Sequence, residues 1–456
     1  MKKILFLTAS AIAMLASCSQ NDLEAPVVAE AQQSAVEFGT YLGKAAESRA
    51  TVGTQGTMTT ATMATSGFGV FAYYTGSDTY GQYQHTTYAG ETGGTSDADH
   101  YANFMYNQQV TSAESPYTTW TYTPLKYWPN EFVNGAVDAQ SPAATGTAAV
   151  GKVSFFAYAP YVATAGASSG DGIIGMTAKN GTGDPKITYK ISDVDLLWGT
   201  LVSSTTKDLS DAAQPGVTGN ESGTAGTHEK AVLNGETVAA NLTKQQTDGK
   251  VYFAFKHVLS AVAGTDALKA QVVPSNGSLT DTKVSITSVS ITDATANGNN
   301  QGELNLATGV FTGSGTGKVS SGDRTYNTAD ILADYATVTT PADWDAVKGL
   351  SDVNEHLILK ESMKPILFMP GSTPTLTVNV QYTVWTKDTN LQDGWTKVPQ
   401  NITKQVTFGS AVQRGKRYIL LMKLGIEDVN FEATVDNWDD VDATGNQIIN
   451  LPLNVE

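Results

Sequence analysis

Cysteine is almost absent: Cys18 is the one thiol in 456 residues. A single cysteine excludes an intramolecular disulfide framework. The five histidines, His85, His100, His228, His257 and His356, are scattered without ligand spacing, so no local zinc site is legible. Cations are scarce too. Lys and Arg total 28 against 44 Asp and Glu, a net charge of 28 − 44 = −16, and only four residues are arginine. Affinity for a polyanion comes from clustered cations, so nucleic acid is excluded as a partner class. Charged residues of all kinds make up only 16% of the chain while 41% is hydrophobic, which excludes a disordered acidic tail and leaves enough apolar matter for a core. What is plentiful is Gly, Thr, Ser and Tyr, the composition of short strands joined by turns.

No apolar run is long enough to span a bilayer. Ile4 to Leu15 falls short of the ~20 residues required, and behind Lys2 and Lys3 it reads as a signal peptide over 1–17. It ends in Leu15-Ala16-Ser17-Cys18, which resembles the bacterial lipobox: small residues fit the peptidase and the thiol accepts diacylglycerol. Two or more acyl chains on Cys18 would hold the mature chain stably on a membrane surface. The stretch that follows has little periodicity and reads as a tether. Within 18–49 one segment stands out: Val36, Phe38, Thr40 and Leu42 alternate on one face of an extended strand.

From Phe68 onward the pattern is persistently β. Strands are expected at Phe68–Tyr74, Tyr117–Trp128, Val153–Tyr161, Ile187–Ile191 and Val251–Val262, separated by long Gly/Ser/Thr/Asn loops. Further strands are expected at Lys283–Ile291, Glu303–Phe311, Pro365–Met369, Thr375–Trp385, Gln405–Phe408, Arg417–Leu424 and Phe431–Val435, with room for a short helix over Ser351–Met363. Short alternating strands without helical crossovers point to an all-β fold of sandwiches. The organisation expected is an N-terminal β-sandwich domain over 50–272 and a C-terminal one over 273–456.

No catalytic or metal constellation emerges, and no cofactor is called for. Gly166-Ala167-Ser168-Ser169-Gly170 has the letters of a nucleophile elbow but not the strand before and helix after that aim the serine. Gly313-Ser314-Gly315-Thr316-Gly317-Lys318 lacks the first glycine and the metal-binding hydroxyl of a phosphate loop, and reads as a hairpin turn. Asp436, Asp439, Asp440 and Asp442 around Trp438 lack the turn and terminal Glu of a calcium loop. His257 sits in a β run and reads as a packed core residue. No pair of carboxylates is marked as a glycosidase pair.

The four arginines are Arg49, Arg324, Arg414 and Arg417. Arg49 lies among small residues, Glu47-Ser48-Arg49-Ala50-Thr51, where backbone is open to a protease. An Arg-specific protease would cut there first, between Arg49 and Ala50.

With the lipobox and Arg49-Ala50, the ordered set Tyr127-Trp128-Pro129, Ser154-Phe155-Phe156-Ala157-Tyr158-Ala159-Pro160, Phe255-Lys256-His257-Val258-Leu259-Ser260, Ile366-Leu367-Phe368-Met369-Pro370, Gly415-Lys416-Arg417-Tyr418 and the late Trp438 resembles the fimbrillin family, the type V pilins of Bacteroides-group bacteria. Asp22 and Glu24 resemble, loosely, the acidic signal that sends lipoproteins of that group to the cell surface. The Trp common in the family shortly before the Gly-x-x-Tyr element is missing here, where Val412-Gln413-Arg414 stand.

The resemblance implies two transthyretin-like sandwiches in tandem, travel to the outer membrane as a lipoprotein, and loss of the strand of Val36 to Leu42 on cleavage after Arg49. A sandwich without one strand has an open groove that another chain's strand must fill. The candidate donor is 447–456, in which Ile449, Leu451, Leu453 and Val455 alternate with Asn450, Pro452, Asn454 and Glu456. An ordinary last strand folded into its own domain is the other reading of that segment, and Pro452 favours an edge position. The partners implied are other fimbrial subunits, self or related, the outer membrane through lipid, and an Arg-specific protease. The alternatives are a tip adhesin whose Tyr73 to Tyr106 region stacks on host or bacterial glycans, and a subunit that keeps its lipid anchor at the cell surface.

Overall fold

The computed structural model describes residues 35–41, 58, 60–76, 79–82, 101–129, 152–163, 172–202, 232–233, 236–247, 249–274, 279–425, 428–437, 449–451 and 453–455. The first half runs β1 (Glu37–Tyr41), α1 (Thr60–Ser66), β2 (Phe68–Gly76), β3 (Met105–Val110), β4 (Lys152–Ala159), β5 (Gly172–Met176), β6 (Lys186–Lys190) and β7 (Leu197–Leu201). It continues through β8 (Val232–Leu233), β9 (Glu236–Thr237), β10 (Ala239–Leu242), α2 (Lys244–Thr247) and β11 (Lys250–His257). The second half begins β12 (Ser260–Val262), β13 (Leu268–Val272), β14 (Thr282–Asp293), β15 (Gln301–Asn305), β16 (Phe311–Ser314), β17 (Arg324–Asn327) and β18 (His356–Leu357). It closes with β19 (Ile366–Phe368), β20 (Thr375–Lys387), β21 (Trp395–Phe408), β22 (Lys416–Leu424), β23 (Val429–Asn437), β24 (Ile449–Leu451) and β25 (Leu453–Val455). The fold is all-β and sandwich-like, as its composition implied.

Four larger sheets carry it. The first has the order β1-β11-β7-β4-β2-β3, with β10 beside β4. Its central strand β4 is buried along its whole length, because the sheet is covered on both faces. Val153, Phe155, Ala157 and Ala159 face one core, and Phe156 and Tyr158 face the other. A near-continuous apolar run is what a doubly covered strand requires. The second sheet joins β18-β13-β22-β12-β19 with β23 and β24, and the third runs β17-β14-β20-β21-β25. Leu420, Met422 and Leu424 of β22 share one core with Leu376, Val378 and Val380 of β20, so these two sheets pack as a sandwich. The strict alternation of β20, buried at Leu376, Val378, Val380 and Tyr382, is the half-buried pattern of such a layer.

The fourth sheet, β16-β15-β6-β5, takes two strands from each half of the chain. Gln301 pairs with Lys190 and Asn305 with Lys186, so the second half is hydrogen-bonded into the first. Side chains reinforce the seam. The Trp198 indole donates to the Leu306 carbonyl at 2.9 Å, and the Arg414 guanidinium lies 4.7 Å above the Trp198 ring. Residues 34–456 hold together as one compact unit. Sheet membership changes between His257 and Ser260, upstream of residue 272, so β12 and β13 belong to the sheets of the second half.

Several sequence expectations differ from what is found: Glu303–Phe311 is the β15–β16 hairpin rather than one strand, and Val251–Val262 is divided between β11 and β12 in different sheets. Tyr117–Trp128 is not a regular strand: Trp120, Thr121 and Tyr127 make isolated bridges only, since Pro116 and Pro124 remove donors that a ladder needs. Ser351–Met363 holds the short β18 rather than a helix. Gly313 and Ser314 end β16, and the turn of that hairpin lies upstream at Gly309, where φ is +68.

Candidate functional site

Glu37–Tyr41 is short, yet it contributes to the first core through Phe38, which is buried. β1 runs parallel to β11, with Glu37 opposite Lys250, Phe38 opposite Val251 and Thr40 opposite Phe253. Along its other side Ala35 and Phe38 bridge Tyr127 and Trp120. The Val36 amide donates to the Lys126 carbonyl at 2.8 Å and the Glu37 amide to Gly249 at 2.9 Å. The strand is therefore hydrogen-bonded on both sides. Alternation puts Val36, Phe38 and Thr40 on the core face. Val36 and Phe38 are fully buried, while Thr40 is half-buried.

The Phe38 ring sits in an aromatic socket. It stacks on Phe253 at 5.9 Å, meets Phe68 and Phe155 edge-on at 6.2 and 5.8 Å, and lies 5.4 Å from Tyr122. Burial of Val36 and Phe38 contributes roughly 1.5–3 kcal/mol each, and each well-set ring pair adds about 0.5–1.5 kcal/mol. The Tyr122 hydroxyl donates to the Val36 carbonyl at 2.8 Å, and the Lys126 carbonyl stands 3.2 Å away as a second acceptor. Burial pushes the Tyr122 phenol up, against the lowering effect of its bond to the Lys126 backbone. It is the neutral donor that lines this bed.

Gly39 shapes the opposite face. A Cβ there would overlap the Tyr252 ring, which lies across the strand, with the Lys250 ammonium 5.0 Å above it. The Trp128 indole donates to the Gly249 carbonyl at 2.9 Å, the same oxygen that accepts the Glu37 amide. Gly39, Tyr252, Tyr122 and Trp128 were not singled out as site residues by the alternating pattern. The one sequence signal near them was the Tyr127-Trp128-Pro129 motif.

The 449–455 segment folds back on its own half. β24 pairs antiparallel with β23, Ile449 opposite Val435 and Leu451 opposite Ala433. β25 pairs antiparallel with β21, Leu453 opposite Phe408 and Val455 opposite Val406. Pro452, between β24 and β25 in sequence, lies outside the described residues. Cys18, Leu42, Arg49 and Ala50 lie outside the described residues, as do the serine motif at 166–170 and Trp438 with Asp439, Asp440 and Asp442.

The other three arginines are tied down. Arg324 in β17 donates to the Pro365 carbonyl at 3.1 Å and bonds Asp193. Arg414 bonds the Gly309 carbonyl and stacks on Trp198. Arg417 in β22 pairs with Asp436 at 2.7 Å, its backbone paired to strands on both sides. His257 is buried with Nδ1 2.6 Å from Asp195 Oδ2. Of the Tyr73 to Tyr106 region, Tyr73 and Tyr80 are core, with Tyr73 packed edge-on against Tyr80 and Phe156, Tyr74, Tyr101 and Tyr106 are half-buried, and Tyr83 and Tyr88 lie outside the described residues. Among the described residues no group of three or more His, Cys, Asp or Glu is placed to hold a metal ion.

The chain is 25% identical over 404 residues to the fimbrium subunit Fim1C of Phocaeicola vulgatus, spanning 85% of this chain and 86% of that protein. A fimbrial protein from Bacteroides vulgatus superposes with a TM-score of 0.55 at 19% identity, over 89% of this chain and 99% of that one. No family model matches. The resemblance to fimbrial proteins read in the sequence holds over most of the chain, and neither relative is named as an enzyme.

Proposed function

We propose that this chain is a structural subunit of a cell-surface fimbria, exported as a lipoprotein through Cys18, cleaved after Arg49 and polymerised by donor-strand exchange, in support of adhesion. The observation that carries the reading is the bed of β1. Cleavage after Arg49 detaches the one strand whose loss opens an apolar groove, with the Phe38 socket at its floor and unpaired backbone groups along both walls. The incoming strand is the 449–455 segment of another subunit, whose apolar residues match the alternation of Val36, Phe38 and Thr40. In the isolated chain that segment is kept on β23 and β21 until it is exchanged. Repetition head to tail gives a filament. Arg324 and Arg417 lie in strands and ion pairs, and Arg414 is held by the Gly309 carbonyl and the Trp198 ring, which supports a preferred cut at Arg49.

The test is digestion of residues 19–456 with an Arg-specific protease, followed by sequencing of the new amino terminus and an unheated denaturing gel. A product that begins at Ala50 and runs as a heat-sensitive ladder is expected. A product cut there that stays monomeric would sink the reading, and resistance at Arg49 would favour a permanently anchored surface lipoprotein.

A further inference from the structure

Resting on the donor-strand reading above, we infer that the incoming strand from a second copy of this chain is seated in one register: Leu453 enters the socket left by Phe38, with Leu451 in the place of Val36 and Val455 in that of Thr40. The argument is one of elimination over four apolar residues at two-residue spacing, for a strand that follows the path of β1.

The bed sets three conditions. The places of Val36 and Phe38 are buried and take apolar side chains. The Glu37 amide points to the Gly249 carbonyl of the β11 side, and by the two-residue repeat of a strand the Gly39 amide points the same way. The place of Gly39 is overlain by Tyr252, so a residue there is small or moves the ring.

Leu451 in the socket puts Pro452 at Gly39, where its ring meets Tyr252 and the amide that should face β11 is missing. Ile449 in the socket sends Gln447 to the buried place of Val36. Val455 in the socket sets the carboxylate of Glu456 at Gly39, under Tyr252. Leu453 in the socket has the least conflict: both buried places stay apolar, the amide at the place of Gly39 is kept, and no charge is set under Tyr252. Pro452 then stands at the place of Glu37, which is exposed, and the carbonyl it fails to satisfy is Gly249, which keeps the Trp128 indole donor at 2.9 Å. Asn454 takes the place of Gly39 and turns the half-buried Tyr252 ring outward. The Tyr122 hydroxyl accommodates the exchange, since it has a carbonyl in reach on either side of the groove.

The register leaves the socket underfilled, because a leucine replaces a ring amid four rings. Leu453→Phe is therefore expected to slow dissociation of the ladder in denaturant by about tenfold, the effect of roughly 1.4 kcal/mol. Leu451→Phe, aimed at the smaller place of Val36, is expected to speed dissociation or block assembly. Register is read directly by cross-linking. The chain processed after Arg49 contains no cysteine, so Lys250→Cys is combined in turn with Asn450→Cys, Pro452→Cys and Asn454→Cys, and polymers are treated with a short bis-maleimide, to which the two thiols add. Lys250 lies opposite the place of Glu37, so covalent ladders are expected from the Pro452→Cys pair. Ladders from the 450 or 454 pair, or polymers with no cross-link from any, overturn the register while leaving strand exchange standing. Failure of the unmodified processed chain to polymerise overturns strand exchange itself.

Discussion

The bed of β1 and the seat of the 449–455 segment are both strand positions, and they are held in opposite ways. β1 has neighbours on both sides, β11 and the 120–127 segment, and its Phe38 is ringed by four aromatic groups. β24 and β25 are terminal rungs, each paired to a single strand among the described residues, β23 for one and β21 for the other. Held by the β11 ladder, by bridges to the 120–127 segment and by the Phe38 socket, β1 frays less readily than a strand with one neighbour and no socket. The difference fits the proposed assembly, in which one strand would be cut free and the other only peeled away.

The comparison is most directly broken by Phe38→Ala against deletion of 447–456, both in the uncleaved chain. Loss of the ring is expected to lower stability by about 3–5 kcal/mol, whereas the deletion should move the urea midpoint little and abolish only polymerisation. Equal losses would erase the distinction. Next in size, Gly39→Val should cost roughly 1–3 kcal/mol through overlap with Tyr252. Tyr252→Ala in that background should recover most of the loss, and a double-mutant cycle with no coupling would contradict the contact. Tyr122→Phe removes the donor to the Val36 carbonyl and should cost about 1 kcal/mol. It should also hasten release of the cut strand, measured by loss of the 18–49 fragment from the processed protein.

The smallest effect separates the halves by pH. Burial, and then the nearby Asp428 charge, push the Tyr382 phenol up to about 12. Burial carries Tyr158 and Tyr189 of the first half higher still. A raised phenol contributes stability that is complete below the unfolded value near ~10 and is lost as pH rises through the folded value. Tyr382→Phe should therefore flatten the alkaline limb of the stability curve between about pH 10 and 12, while the phenolates of Tyr158 and Tyr189 should appear only with unfolding.

Much of this architecture was legible because its signals are local. Leu376, Val378 and Val380 announced β20 by alternation, and Val36 and Phe38 announced β1 in the same way. The run around Phe155 and Phe156 marked a strand, and its burial on both faces explains the missing alternation. What was not legible depends on partners distant in sequence. Nothing near Gly39 reveals that Tyr252 will cover it, nor does anything near Asp193 reveal Arg324 as its ion-pair partner. The Tyr117–Trp128 segment has the residues of a strand but spends its donors and rings on the neighbouring bed. The passage of β15 and β16 into a sheet of the first half left no trace in the sequence, since pairing across halves uses the same alternation as pairing within them.

That shared sheet has a mechanical consequence. In a filament built as proposed, force would enter a subunit at the bed of β1 and leave through its 449–455 segment. Two sandwiches joined by a flexible linker would swing and then yield separately, like beads on a cord. Here the β6–β15 ladder and the Arg414–Trp198 stack rivet the halves together. Each subunit is expected to stretch as one stiff link and to give a single rupture event in a single-molecule pulling experiment.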